Sequence, residues 1–375
     1  MNFGDLPFDG KEMLQGLRRW VECESPTFDA AAVNRCMGLA ESDLTAAGAK
    51  VDRIAGSLGY GDCIRARFPH SSNVPGVLVL GHLDTVHPIG TLANLPWRLE
   101  GERCYGPGIL DMKGGNYIAL EAVRQLKRAG IATRLPLTIL LTSDEEVGSP
   151  STRELIESEA KKHAFVLVPE PGLENKGVVS GRYSIARFNL EATGRPSHAG
   201  VKLKEGRSAI REMARQVAAI EDMTTDDCTF SVGVLHGGQW VNCVATTCIG
   251  EALSMAKRQA DLDRGVTAML SLSGEHGGVQ FKVTRGVTRP VWEPNAKTLE
   301  LFEIARRVAL DIGFDITHES KGGGSDGNFT GALGIPTLDG LGVMGNGYHT
   351  LDEHIDVGSL VPRGQLMAGL LATLS

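Results

Sequence analysis

No apolar run in this 375-residue chain approaches the roughly 18–20 residues that a bilayer-spanning helix needs, which argues against a membrane protein. The opening MNFGDLPFDG holds no basic segment followed by an apolar stretch, so no secretory leader is read there. Basic charge is also scarce. Lys and Arg number 38 against 45 Asp and Glu, and the net charge of −7 speaks against nucleic acid or an anionic membrane as partner. Cysteines are few and odd in number: seven, at 23, 36, 63, 104, 228, 243 and 248. That usage fits reduced thiols in a cytoplasmic protein better than a disulfide framework. Cys243 and Cys248 have no second Cys/His pair nearby, which argues against a structural zinc site. Internal repeats and low-complexity segments are missing too. The Gly322-Gly323-Gly324 run lacks the strand–GxxxxGK[ST]–helix setting of a phosphate loop, so nucleotide binding is not expected.

What remains is a globular composition, 42% hydrophobic and 22% charged. The length favours two domains over one core. Forty-seven glycines punctuate the apolar runs as turns do in α/β proteins. Residues 29–48 suit an amphipathic helix ending at Gly48, and 116–129 a second helix stopped by Gly130. Short apolar runs at 77–80, 137–141 and 165–168 read as strands of a parallel sheet covered on both faces. The middle differs: strand 182–192, helix 207–220, strands 229–235 and 247–255, helix 262–272, strand 279–284. That order is the ferredoxin-like split βαβ unit. A helix at 297–312 and a strand near 335–338 resume the α/β pattern. The expected architecture is an α/β domain, 1–180 and 291–375, interrupted by an α+β domain at 181–290.

Acidic or imidazole side chains follow each apolar strand: Gly81-His82-Leu83-Asp84, Thr142-Ser143-Asp144-Glu145-Glu146 and Pro169-Glu170. Open parallel sheets bind ligands outside the carboxyl ends of their strands, so three strands converge these groups on one rim. Crowded carboxylates raise one another's pKa, and a bound cation relieves them. Imidazole with carboxylate suits Zn²⁺, with Mn²⁺ or Co²⁺ as substitutes.

Asp111, in Gly106-Pro107-Gly108-Ile109-Leu110-Asp111-Met112-Lys113-Gly114-Gly115, and His349, in Tyr348-His349-Thr350, complete the set. In order and spacing these segments resemble the two-zinc exopeptidases and deacylases, a family that includes glutamate carboxypeptidase, aminoacylase and succinyl-diaminopimelate desuccinylase. The resemblance covers essentially the whole chain and is closest in pattern to glutamate carboxypeptidase. It implies a zinc-exopeptidase-like, mostly parallel sheet with helices on both faces, interrupted by a ferredoxin-like α+β lid and dimerisation domain. It implies two zinc ions per subunit, one on His82 and Glu170, the other on Glu146 and His349, with Asp111 bridging. Asp84 would orient His82, and Glu145 would be the general base. Glu at position 170 goes with carboxypeptidases and deacylases in this family. His198, in Gly194-Arg195-Pro196-Ser197-His198-Ala199-Gly200, would be the lid histidine supplied across a homodimer. Asn242, Arg289, Gly324 and Ser325 match substrate-contacting segments. The expected activity is hydrolysis of an amide bond in a small peptidyl or N-acyl amino acid. Deacylation or deamination of a small non-peptide amide or amine within the same family is an alternative.

Two departures and two rivals stand beside this reading. Ala245 replaces the proline of the family's Asn-x-x-Pro segment, and Met255 stands where glutamate carboxypeptidases carry the arginine of an Asp-x-Arg. Gly323-Gly324-Ser325-Asp326-Gly327 satisfies G-x-S-x-G, with Asp352 and His354 downstream in the order of a serine hydrolase. A metal-binding module without activity is the third class, against which Glu145 speaks. His87 before Pro88 reads as a turn residue, and His236, His276, His318 and His354 read as bland structural histidines.

Overall fold

The three apolar runs become neighbouring strands. The structure, a computed structural model, describes residues 2–375. Strand Gly76–His82 lies between Leu137–Thr142 and His163–Leu167 and is parallel to both; Thr337–Leu338 adds a fourth parallel strand beyond the last. Along Gly76–His82 the pleat sends Val77 and Val79 to one face and Leu78 and Leu80 to the other. Both sets are buried, in separate apolar clusters. That double burial is why the run is continuous rather than alternating.

The sheet is mostly parallel, as expected, with antiparallel pairing confined to one edge. Lys50–Ile54 and Cys63–Arg67 form a hairpin, and the second of these pairs antiparallel with Leu137–Thr142, making six strands in all. Neither segment is apolar enough to announce itself, because Asp52, Arg53, Arg65 and Arg67 interleave with the inward residues. Arg65 and Arg67 both reach the Asp52 carboxylate across the pair.

Helices cover both faces. Ala30–Ala47 starts at Asp29, whose side chain accepts from Ala32 N at 2.9 Å, and ends at Gly48, which takes the left-handed φ of 106° that glycine tolerates. Gly114–Arg128 and Leu360–Thr373 are buried along most of their length, on the same side. On the other face, Ile156 and Ala160 of helix Arg153–Ala160 pack with Leu78, Leu80, Leu140, Val166, Val168 and Phe329.

A second, small sheet was not legible in the sequence. Arg98–Glu100, Arg103–Tyr105, Gly345–Asn346 and His354–Asp356 make four strands of two or three residues, too short to show periodicity. His354 pairs with Tyr105 and Ile355 with Cys104, joining segments about 250 residues apart in sequence.

By contacts the chain divides into two compact units: one of residues up to Gly181, Pro294–Ser320 and Ser325–Ser375, the other of Arg182–Glu293 and Lys321–Gly324. In the second, Ser184–Thr193, Cys228–Gly237, Thr247–Ala256 and Val279–Arg289 are each antiparallel to their neighbours, with Cys228–Gly237 at one edge and a short Gly274–His276 strand at the other. Taking the four long strands in chain order, the sheet runs 2-3-1-4, the ferredoxin-like arrangement. Ala186, Phe188, Leu190 and Ala192 alternate inward against Met213 and Ile220 of helix Ala209–Glu221 and Leu262 and Met269 of helix Gln259–Ser271. All seven cysteines are free thiols. Among the described residues no helix is long and apolar enough to cross a membrane.

Candidate functional site

His82 ends the central strand with its side chain fully buried. Its Nδ1 lies 2.9 Å from the Asp84 carbonyl oxygen and 3.4 Å from the Asp84 carboxylate. An imidazole held at Nδ1 by acceptors presents Nε2 outward. There Nε2 lies 3.2 Å from Asp111 Oδ1, 3.8 Å from Glu170 Oε1 and 3.9 Å from Glu145 Oε2. The other Asp111 oxygen, Oδ2, lies 3.1 Å from His349 Nε2, which is 3.2 Å from Glu146 Oε2. One carboxylate thus faces two imidazoles, His82 with Glu170 and Glu145 beside it and His349 with Glu146. His82, Asp111 and Glu146 offer ligand atoms within 4.8 Å of one another.

The backbone explains how adjacent glutamates diverge. Glu145–Val147 is a single 3₁₀ turn after the strand, so Glu145 and Glu146 escape strand alternation. The Asp84 carboxylate fixes this turn by accepting from Glu145 N at 3.2 Å, Glu146 N at 3.3 Å and the Thr27 hydroxyl at 2.8 Å. Asp84 therefore serves both the histidine and the two glutamates. His349 sits in a loop with φ of 63°, in the left-handed region.

The electrostatics are those of crowded acids. Burial, with the Asp111 charge added, lifts the Glu146 carboxyl to about 8. Burial and the same charge push Glu170 well above the usual carboxylate range. For Asp111, burial is outweighed by the hydrogen bonds of His349 and His82, which hold its carboxyl below its ordinary value. Burial would lower His82, yet bonding to Asp111 and Asp84 with the Glu145 charge holds it well above normal. His349, bonded to Asp111 and Glu146, rises to about 11. Imidazoles shifted up by neighbouring carboxylates and glutamates shifted up by burial and a neighbouring charge mark an anionic donor set suited to a cation. The donor chemistry, imidazole nitrogen plus carboxylate oxygen, fits a zinc-type ion.

Two residues near Asp111 escaped the sequence reading. His87 is a buried partner rather than a turn residue, its Nε2 2.6 Å from Glu353 Oε2. Glu353 also accepts from Gly108 N at 2.9 Å, Leu110 N at 2.9 Å and Asp111 N at 3.1 Å. The only signal for Glu353 was its place four residues after His349.

The serine-hydrolase alternative is not favoured. Ser325 is fully buried, and its hydroxyl donates to Asp339 Oδ2 at 2.6 Å instead of to an imidazole. Its oxygen also accepts from Gly327 N, which makes it a turn-forming residue. The Nδ1 of His354 meets the Asp352 carbonyl oxygen, not its carboxylate.

His198, Asn242, Arg289, Gly324 and Met255 belong to the second unit. His198 Nδ1 accepts from Gly200 N at 3.1 Å and Val201 N at 3.2 Å, so a neutral ring carries its proton on Nε2. The segments bearing His198 and Asn242 pair, Ala199 N donating to the Asn242 carbonyl at 2.9 Å. Ile185 pairs with Met255 on one side and Arg289 on the other, which puts the three side chains on the sheet face opposite the helices. Gly324 lies against this row: a Cβ there would stand 2.5 Å from Arg289 Cδ and 2.7 Å from Ile185 Cδ1.

Residues 78–373 match Peptidase family M20/M25/M40. Over 371 residues the chain is 30% identical to carboxypeptidase G2 of Pseudomonas sp. (strain RS-16), covering 96% of this chain and 88% of that one. It is 26% identical over 325 residues to the succinyl-diaminopimelate desuccinylase of Xylella fastidiosa (strain M12), covering 81% of this chain and 84% of the other. Among solved structures, a tripeptidase from Staphylococcus aureus superposes with a TM-score of 0.80 at 21% identity, over 97% of this chain and 98% of that one. The fold is that of the zinc exopeptidases, and the chain belongs to peptidase family M20/M25/M40, a family of metal-dependent hydrolytic enzymes.

Proposed function

We propose that this enzyme hydrolyses an amide bond in a small peptidyl or N-acyl amino acid, in the manner of a glutamate carboxypeptidase, with Glu145 as general base. The observation that carries the reading is the Asp111 carboxylate, whose two oxygens face different imidazoles, His82 at 3.2 Å and His349 at 3.1 Å. Such a carboxylate suits a bridge between two ions. His82 and Glu170 would hold one, His349 and Glu146 the other, and zinc is the proposed metal, with Mn²⁺ or Co²⁺ as substitutes. When bound, the ions supply Lewis acidity, lowering the pKa of water and polarising the scissile carbonyl.

The chain's own groups do the rest. The Glu145 carboxylate, backed by the Asp84-held turn, takes a proton from the attacking water and returns it to the leaving nitrogen. His198 donates Nε2–H to the developing oxyanion, supplied by one subunit of a homodimer to the other's site. On the second unit Cys228–Gly237 is an edge strand bearing the exposed Val234 and Leu235, and an edge of this kind that a second copy would cover supports the dimer. Asn242, Arg289 and Gly324 would contact substrate, Gly324 through backbone; Ser325 is instead a buried support for that turn, its N–H donating to Asn328 Oδ1 at 3.0 Å and its carbonyl accepting from Asn328 N at 3.1 Å. Glu170, rather than an aspartate, favours release or deacylation of an amino acid.

Chelation should abolish hydrolysis of N-acyl and peptidyl amino acids, and Zn²⁺, Mn²⁺ or Co²⁺ should restore it, with about two ions per chain by elemental analysis. Full turnover by metal-free protein would sink the reading.

A further inference from the structure

We infer that Glu353, backed by His87, is a positioning residue that sets Asp111 between His82 and His349. The inference rests on the reading of Asp111 as a metal ligand. It starts from a backbone problem. The loop from Gly106 to Lys113 is not a regular helix: Gly108 has φ of 67°, and Asp111 has φ −112° and ψ 95°. The N–H groups of Gly108, Leu110 and Asp111 are therefore not all satisfied by a helical ladder, and buried donors need acceptors. The Glu353 carboxylate, fully buried, supplies them.

The count of contacts fixes its role. Oε1 accepts from Leu110 N and Asp111 N, and Oε2 from Gly108 N and His87 Nε2. A carboxylate has roughly four lone-pair sites, and four donors fill them. Nothing remains for a metal ion or a substrate, so Glu353 acts only through what it holds. It holds the residue that carries the shared carboxylate.

The fold delivers Glu353 to this place by pairing, not by sequence proximity. Tyr105, just before the loop, is the register partner of His354, just after Glu353. Gly106 N also donates to the Glu353 carbonyl at 3.3 Å. Because His349 lies four residues upstream of Glu353 in the same segment, one anchor ties the Asp111 loop to the His349 loop. The distance between the two halves of the donor set then depends on it. His87 closes the arrangement from a third segment, just beyond the strand that carries His82.

The test is Co²⁺ affinity, by competition with a chelator, in wild type, Glu353→Gln, His87→Phe and Asp111→Asn, beside the thermal midpoint of each metal-free protein. The glutamine keeps one acceptor oxygen but turns an amide N–H₂ toward Gly108 N–H. Glu353→Gln should bind Co²⁺ 10–100-fold more weakly, the usual cost of losing an outer partner of a ligand, and lower kcat with KM little changed. His87→Phe removes one donor of four and should weaken Co²⁺ binding in the same direction by less. It carries the test alone if the Glu353 variant does not fold. Co²⁺ affinity within about twofold of wild type in both variants, with Asp111→Asn unable to bind, would overturn the inference and leave the proposed function standing. A lowered metal-free midpoint with unchanged affinity would do the same, marking Glu353 as a packing residue. Wild-type affinity in Asp111→Asn would overturn the metal reading, and the inference with it.

Discussion

Glu145 and Glu146 are neighbours in sequence with different surroundings, and that contrast gives the sharpest residue-scale prediction. Glu146 lies 3.2 Å from His349, whereas Glu145 approaches His82 only to 3.9 Å. Glu145→Gln should keep metal and fold yet lose about 10²–10⁴-fold in kcat, the worth of a general base. Glu146→Gln should instead lose metal. Exchanged behaviours, read by elemental analysis beside steady-state kinetics, would reverse the two assignments. A second prediction concerns protons. Ligands must be deprotonated to bind an ion. In the metal-free protein His82 is held above its ordinary value, His349 to about 11, Glu146 to about 8 and Glu170 well up. Protons therefore compete with the ion at neutral pH, and raising the pH removes the competitor. Apparent Co²⁺ affinity should climb between about pH 6 and 8, with proton release seen by calorimetry in buffers of different ionisation enthalpy. A flat affinity without proton release would contradict the protonated ground state.

At the scale of elements, the strand Thr247–Ala256 bears the proposed departure from glutamate carboxypeptidases. Met255 shares a cross-strand row with Ile185 and Arg289, and its Cε would lie 3.7 Å from a Cβ at Gly322. A thioether offers polarizable apolar contact where a guanidinium would offer a carboxylate a two-bond fork. Met255→Arg should shift preference toward substrates with a terminal carboxylate over their amidated analogues. If kcat/KM for both is unchanged, position 255 does not meet substrate. Changing Arg289 in the native enzyme should abolish any demand for the carboxylate if the anchor has moved to that strand.

For the whole molecule, the proposed homodimer makes a prediction that no single chain can satisfy. His198→Ala and Glu145→Gln each remove one contributor from the site, and mixed subunits would carry one site with both intact. Partial recovery of activity on mixing is expected. Proven subunit exchange with no recovery would mean that each site is built from one chain.

Sequence alone determined the elements whose physics is local. Gly48 ends its helix because only a residue tolerant of positive φ can reverse the chain there, and the 77–80 run is apolar because both its faces are buried. The acids and histidine following each strand were legible for the same reason, since strand ends of an open parallel sheet must share a rim. The ferredoxin-like order was legible from alternation and helix periodicity. What only the tertiary structure decided depends on contacts between distant segments. The Lys50–Ile54 and Cys63–Arg67 hairpin is polar on one side and finds its place by pairing. The three-residue strands at 103–105 and 354–356 have no period to read, yet their pairing brings Glu353 to the Asp111 loop, where His87 from a third segment meets it. Ser325 satisfied a nucleophile motif, and only the nearness of Asp339 revealed that its hydroxyl was already committed. Spacing along a chain specifies which residue types can meet; which hydrogen bonds each one spends is set by the partners folding brings to it.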